Sequence, residues 1–98
     1  MSWRILVLPE ADRDLAAARD WYEQQRKGLG LEFLDEISAA MRVLEQTPQV
    51  FRLYFRNFRR LQLRRFPYKV FYQIIDGRVY VFRVLHVKQD HPATLPGL

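Results

Sequence analysis

Residues 61–87 read LQLRRFPYKVFYQIIDGRVYVFRVLHV, and this stretch decides the fold. Two runs rich in β-branched and aromatic residues, Tyr68 to Ile75 and Val79 to Val87, flank Asp76-Gly77. That dipeptide favours a two-residue hairpin, because both central positions of the turn take positive φ. A third run, Phe58 to Arg65, precedes them and turns at Phe66-Pro67, where Pro67 has no amide hydrogen to give a ladder. The pattern predicts a three-stranded antiparallel meander. In its middle strand Val70, Tyr72 and Ile74 share one face, and Phe71 and Ile75 the other. A sheet with one wet face would carry polar residues on that second side, so this one needs two coverings.

The first half of the chain supplies one of them. Trp3 to Leu8 reads as a short apolar strand ended by Pro9, a residue suited to the first position of a helix. Glu10 and Asp12 then occupy the first turn, where the helix dipole favours acids. Ala11, Leu15, Ala18 and Tyr22 recur at helical spacing, an apolar stripe running to about Gln25 before Gly28 and Gly30 break it. A second stripe follows, formed by Phe33, Leu34, Ile37, Met41 and Leu44, and Pro48 forbids helix beyond about Gln46. The short glycine link implies an antiparallel helical hairpin. Laid on one face of the sheet, with the N-terminal strand added as a fourth, it gives a two-layer α+β sandwich. Residues 1–98 are expected to form a single domain.

The other face, with Phe71, Tyr80 and Phe82, then has nothing left to cover it, and is predicted to be a partner surface. Arginines edge it. Residues 1–45 hold six basic and nine acidic side chains, whereas residues 46–98 hold ten basic and two acidic. From Gln46 to Ile75 there is no acid, against Arg52, Arg56, Arg59, Arg60, Arg64, Arg65 and Lys69. Arginine suits bidentate contacts with carboxylate or phosphate, so Arg56, Arg59, Arg60 and Arg64 join the predicted docking surface for nucleic acid or an acidic protein segment.

Composition narrows the classes further. The chain is 49% hydrophobic and 14% aromatic, ordinary for a folded globule. It has no cysteine, which excludes disulfides and thiolate chemistry. No apolar run approaches the roughly 18 residues of a membrane span, and the N-terminus lacks a signal-peptide core. A soluble cytoplasmic protein with no membrane partner is expected.

Chemistry is less marked. Glycine-rich phosphate loops, HExxH and EF-hand patterns are missing, and no cofactor is expected. His86 and His91 with Asp90 have metal-like spacing, but the structural reading is preferred and no metal is expected. In it His86 ends the last strand, and Asp90 accepts a hydrogen bond that fixes its ring. Pro67 and Gly77 are likewise assigned structural roles. Arg64, Arg65, Lys69, Arg83, His86 and Lys88, with Tyr68, Tyr72 and Tyr80, supply the residue types of a metal-free ribonuclease, which needs a base, an acid and cations for the phosphorane.

Several strings together resemble the ParE/RelE toxin superfamily of type II toxin–antitoxin systems. They are LPEADRDLAAARDWYEQQ, GLGLEFLDEI, the TPQ break, RRFPYKVFYQI and VLHVKQDHP. The resemblance is closer to the ParE-like branch: Arg64, Phe66, Pro67 and Tyr68 match its Arg-x-Phe-Pro-Tyr segment, and His86 and Asp90 its terminal pair. What the resemblance implies is a toxin wrapped by an antitoxin with a ParD-like, acidic amphipathic tail, forming a hetero-oligomer and poisoning DNA gyrase without chemistry of its own. The RelE branch implies instead cleavage of ribosome-bound mRNA, here by Arg65, Lys69 and His86; Gln89 and Leu95 stand where RelE members carry an arginine and a tyrosine, which weighs against it. A degenerate member that binds antitoxin without toxicity is the third reading.

Overall fold

The computed structural model describes residues 2–89 and Leu95. In chain order it contains β1 (Arg4–Val7), α1 (Pro9–Gln25), α2 (Leu29–Gln46), a 3-10 turn (Pro48–Val50), β2 (Leu53–Phe55), β3 (Phe58–Gln62), β4 (Tyr68–Ile75) and β5 (Arg78–His86). These form an α+β sandwich with a single five-stranded sheet in the order β1-β5-β4-β3-β2. The sheet is antiparallel from β2 to β5, while β1 lies parallel to β5. The hairpin turns where the sequence placed it, with Asp76 at φ 50° and Gly77 at φ 76°.

Three details of the strand arrangement correct the expectation. The meander has four strands, because Leu53–Phe55 pairs with β3 as a short edge strand that three residues of sequence did not signal. β3 stops at Gln62 rather than Arg65, since Leu63 to Pro67 turns back to let Phe66 enter the core. Also, β5 carries a bulge: Phe71 stands opposite Arg83 but Tyr72 opposite Val81, which leaves Phe82 as the extra residue. Strict alternation would send Val81 and Val84 to opposite faces. The bulge puts both into the helix-side core.

That core follows from the helical stripes. Ala11, Ala18 and Tyr22 of α1 and Phe33, Ile37, Ala40 and Leu44 of α2 are buried against Leu61, Val70, Tyr72, Val79, Val81 and Val84. Tyr22, Phe33, Phe66 and Tyr68 cluster edge-on and stacked, with centroids 4.8 Å (Tyr22–Phe66) to 6.1 Å (Tyr22–Tyr68) apart. The Tyr72 hydroxyl donates to the Pro48 carbonyl at 2.7 Å, tying the end of α2 to the centre of the sheet. Gly30 is more than a breaker. It lies in the first turn of α2, where a Cβ would sit 2.8 Å from the Arg19 carbonyl, so only glycine allows this approach of α1 to α2. The Glu23 carboxylate completes the link by accepting from the amides of Gly28 (2.9 Å) and Gly30 (3.0 Å) at the start of α2.

The expectation of a bare opposite face is corrected too. Phe58, Phe71, Leu85 and Leu95 form a second buried cluster there, flanked by Tyr54, Phe55 and Phe82. β2 and the start of β3 bring aromatic side chains across the sheet, and Leu95 is only 5% exposed. Phe71 is fully buried as a result.

A candidate docking groove and a basic face

β2 pairs with β3 only around Phe58 and Arg59, so the rest of β3 is an open edge. The Leu63 amide donates to the Tyr68 carbonyl across the ladder at 3.0 Å; alternation therefore turns the backbone groups of Gln62 and Arg64 outward. Facing that edge is α2, whose small Ala39 and Ala40 leave a groove of about 460 Å³, with Val43, Phe51, Leu61 and Leu63 as its apolar walls. Arg64 and Arg65 stand at its rim with Glu36.

The rim is held by α2 itself. Glu36 accepts from the Arg64 amide at 2.6 Å and from the Arg65 amide at 3.1 Å. One turn earlier, Glu32 accepts from the Arg65 guanidinium at 2.7 Å and from Arg26 at 3.1 Å. These two hydrogen bonds, Arg65 first, hold the Glu32 carboxyl below its ordinary range, and Glu32 in turn raises Arg65. The Arg65 guanidinium also lies 5.2 Å from the Phe66 ring centroid. Both partners are well exposed, so the pair orients the loop more than it stabilises the fold.

The arginines grouped by sequence are dispersed in space. Arg59 pairs in register with Tyr72 and turns its guanidinium to the Phe51 and Gln49 carbonyls, at 2.6 and 3.3 Å. Arg60 stacks on Tyr54, 4.1 Å from its centroid. Arg56, at φ 54°, sits in the β2–β3 turn with its guanidinium 5.2 Å from the Phe55 ring. Arg64 alone of these four lines the groove. Tyr80 and Phe82 are half-buried, and Phe82 packs edge-on against Phe58 at 5.1 Å.

The ribonuclease set is not assembled. Lys69 stands opposite Leu85 on the face away from the helices. His86 stands opposite Tyr68, its ring 5.3 Å away at the edge of the helix-side aromatic cluster. Arg65 is on the α2 side with Glu32. His86 closes β5 as a positioned residue: its Nδ1 accepts from the Lys88 amide at 3.1 Å, and its own amide donates to Gln89 Oε1 at 2.7 Å. The expected partner Asp90 lies outside the described residues. Pro67 is exposed and its carbonyl accepts from the Val87 amide at 2.9 Å, closing the corner. Among the described residues no cluster of three His, Asp or Glu side chains is placed to hold a metal ion, and no helix is long and apolar enough to cross a membrane.

Sequence reasoning missed one important pair. The Asp14 carboxylate takes Arg83 at 2.7 and 2.9 Å and also the Val84 amide at 3.0 Å, just past the bulge where β1 no longer covers the edge of β5. This bond raises the Arg83 pKa. Asp14 and Arg83 are 69 residues apart, and no local signal connects them.

The described structure is thus a small α+β fold with an open sheet edge beside a cation-rimmed apolar groove. The sequence matches, over residues 5–91, the family described as ParE toxin of type II toxin-antitoxin system, parDE; the chain belongs to that family. Its fold is similar to a solved chain titled "Chromosomal ParDE TA system from P. aeruginosa", with a TM-score of 0.77 at 18% identity, covering 86% of this chain and 95% of that one. No curated protein sequence matches it significantly.

Proposed function

We propose that this chain, as one toxin domain, is silenced by a cognate antitoxin whose acidic amphipathic tail fills the groove between α2 and β3. Once released in the cytoplasm, it binds DNA gyrase and traps the enzyme on cleaved DNA, without chemistry of its own. The groove carries this reading. An extended segment along Gln62 gains backbone hydrogen bonds from the open edge and places alternate apolar side chains toward Ala39, Ala40 and Val43. Carboxylates on the same segment meet Arg64, and compete with Glu36 for the Arg64 and Arg65 amides. Family membership supports the toxin role, and the separation of Arg65, Lys69 and His86 favours binding over cleavage as the mode of action.

Two measurements test it. Titration with the cognate antitoxin should give a tight hetero-oligomer, and Arg64→Glu should slow association and flatten its salt dependence, because rim charges act mainly on encounter. An unchanged association rate at low salt would remove the groove from the antitoxin's path. Purified gyrase with supercoiled DNA should accumulate cleaved complexes when toxin is added. Cleaved mRNA in a translating extract instead would establish the ribonuclease reading, and neither activity would leave an antitoxin-binding protein without a target.

A further inference from the structure

The sheet face away from the helices carries two cations that the groove does not use. Arg60 on β3 stands opposite Phe71, and Lys69 on β4 opposite Gln62. They are therefore diagonal neighbours on one face, with Cβ atoms about 7 Å apart. Stacking on Tyr54 at 4.1 Å fixes the direction of the Arg60 guanidinium. Both residues are half-buried, and Leu85 flanks Lys69 on its other side. Burial, and then repulsion from Arg60, lower the Lys69 pKa. Among the described residues neither cation has an ion-pair partner.

Among the described residues, the fold explains why. Every described acidic residue lies on α1 or α2, behind the sheet, except Asp76 at the β4–β5 turn. Two half-buried like charges held side by side repel each other, a cost that an anion between them would recover. We propose that Arg60 and Lys69 clamp the phosphodiester backbone of duplex DNA. A peptide carboxylate is the less favoured anion. Two adjacent cations with no described acid beside them suit a polyanion, while the groove around Arg64, on the other side, is the place suited to an acidic peptide. A duplex fits better than a single strand. Tyr54 is engaged under Arg60 and Phe82 against Phe58, so these rings are not free to stack on splayed bases, and cations alone read phosphates without regard to sequence. The inference does not rest on the gyrase reading, since the isolated toxin should bind DNA with no gyrase present.

Fluorescence anisotropy with short labelled duplexes, in salt from about 50 to 200 mM, tests the clamp. Arg60→Gln and Lys69→Gln should each weaken binding equally for unrelated DNA sequences and reduce the log–log salt slope by about one. Arg60→Lys keeps the charge and should keep the slope, even if the loss of stacking lowers thermal stability. Arg42→Gln, which removes an exposed charge from α2, should leave the slope as it was. An RNA duplex bound as well as DNA still supports a phosphodiester clamp. Four results overturn the proposal: no binding by the native protein, an equal loss in Arg42→Gln, a preference for single strands or RNA, or displacement of DNA by poly-glutamate of matched charge and concentration.

Discussion

Tyr72 and Gln73 are neighbours in β4, both essentially inaccessible to solvent, and they face opposite sides of the sheet. Tyr72 looks toward the helices, where its hydroxyl finds the Pro48 carbonyl and its ring packs edge-on with Phe51 at 6.5 Å. Gln73 looks the other way, and among the described residues its Nε2 has no hydrogen-bond partner. The pair teaches how the two faces differ. The helix side is a finished core in which polar atoms are paired. The far side is a smaller apolar cluster bordered by half-buried aromatics, an orphaned amide and two neighbouring cations.

The largest expected effect comes from truncating the centre of each face. Phe33→Ala should destabilise the protein by about 3–5 kcal/mol, and Phe71→Ala by about 3 kcal/mol, because a shallow cluster collapses around the gap more easily. Urea unfolding of the two variants would break the comparison if Phe71→Ala proved the costlier. Gly30→Ala should cost about 1–3 kcal/mol, since its Cβ meets the Arg19 carbonyl and forces α1 and α2 apart; an unchanged melting temperature would mean that the helices separate freely.

Tyr72→Phe should cost about 1–2 kcal/mol by leaving the Pro48 carbonyl without its donor. The same variant has a pH signature. Burial raises the Tyr72 pKa well above its ordinary 10.0, and burial also raises Tyr22 and Tyr68. A phenol held neutral in the fold contributes stability that is complete below the unfolded value of 10.0 and lost as pH climbs toward the higher folded value. Native protein should therefore weaken above pH 10.0, and Tyr72→Phe should show a shallower alkaline decline; parallel declines would assign that loss to other groups. Smallest is Gln73→Leu, which removes the orphaned amide and should be neutral or stabilising by up to about 1 kcal/mol. A clear loss of stability in the same unfolding experiment would show that the amide is satisfied after all.

The sequence could place Gly77, the two helical stripes and the facing of Val70, Tyr72 and Ile74, because each depends on residues within a turn or a period of one another. Arg59 and Arg60 could not be told apart that way. They are adjacent and identical, yet strand alternation sends one to the Phe51 carbonyl and the other onto Tyr54. The run of arginines therefore read as one surface when its members serve separate places. Glu32 and Glu36 lie one helical turn apart, and only the approach of α2 to the β3–β4 loop makes them the partners of Arg64 and Arg65.

By itself, then, the sequence determined the α+β class, the hairpin at Asp76-Gly77, the helical hairpin and the family, through local dihedral preference, hydrophobic period and short strings. Tertiary structure alone decided the parallel placement of β1, the edge strand β2, the bulge at Phe82 that turns Val84 inward, and the closing of the second face over Phe71. Each of these depends on which surfaces meet after collapse, and residues as distant as Asp14 and Arg83 carry no mark of one another until the chain brings them within 2.7 Å.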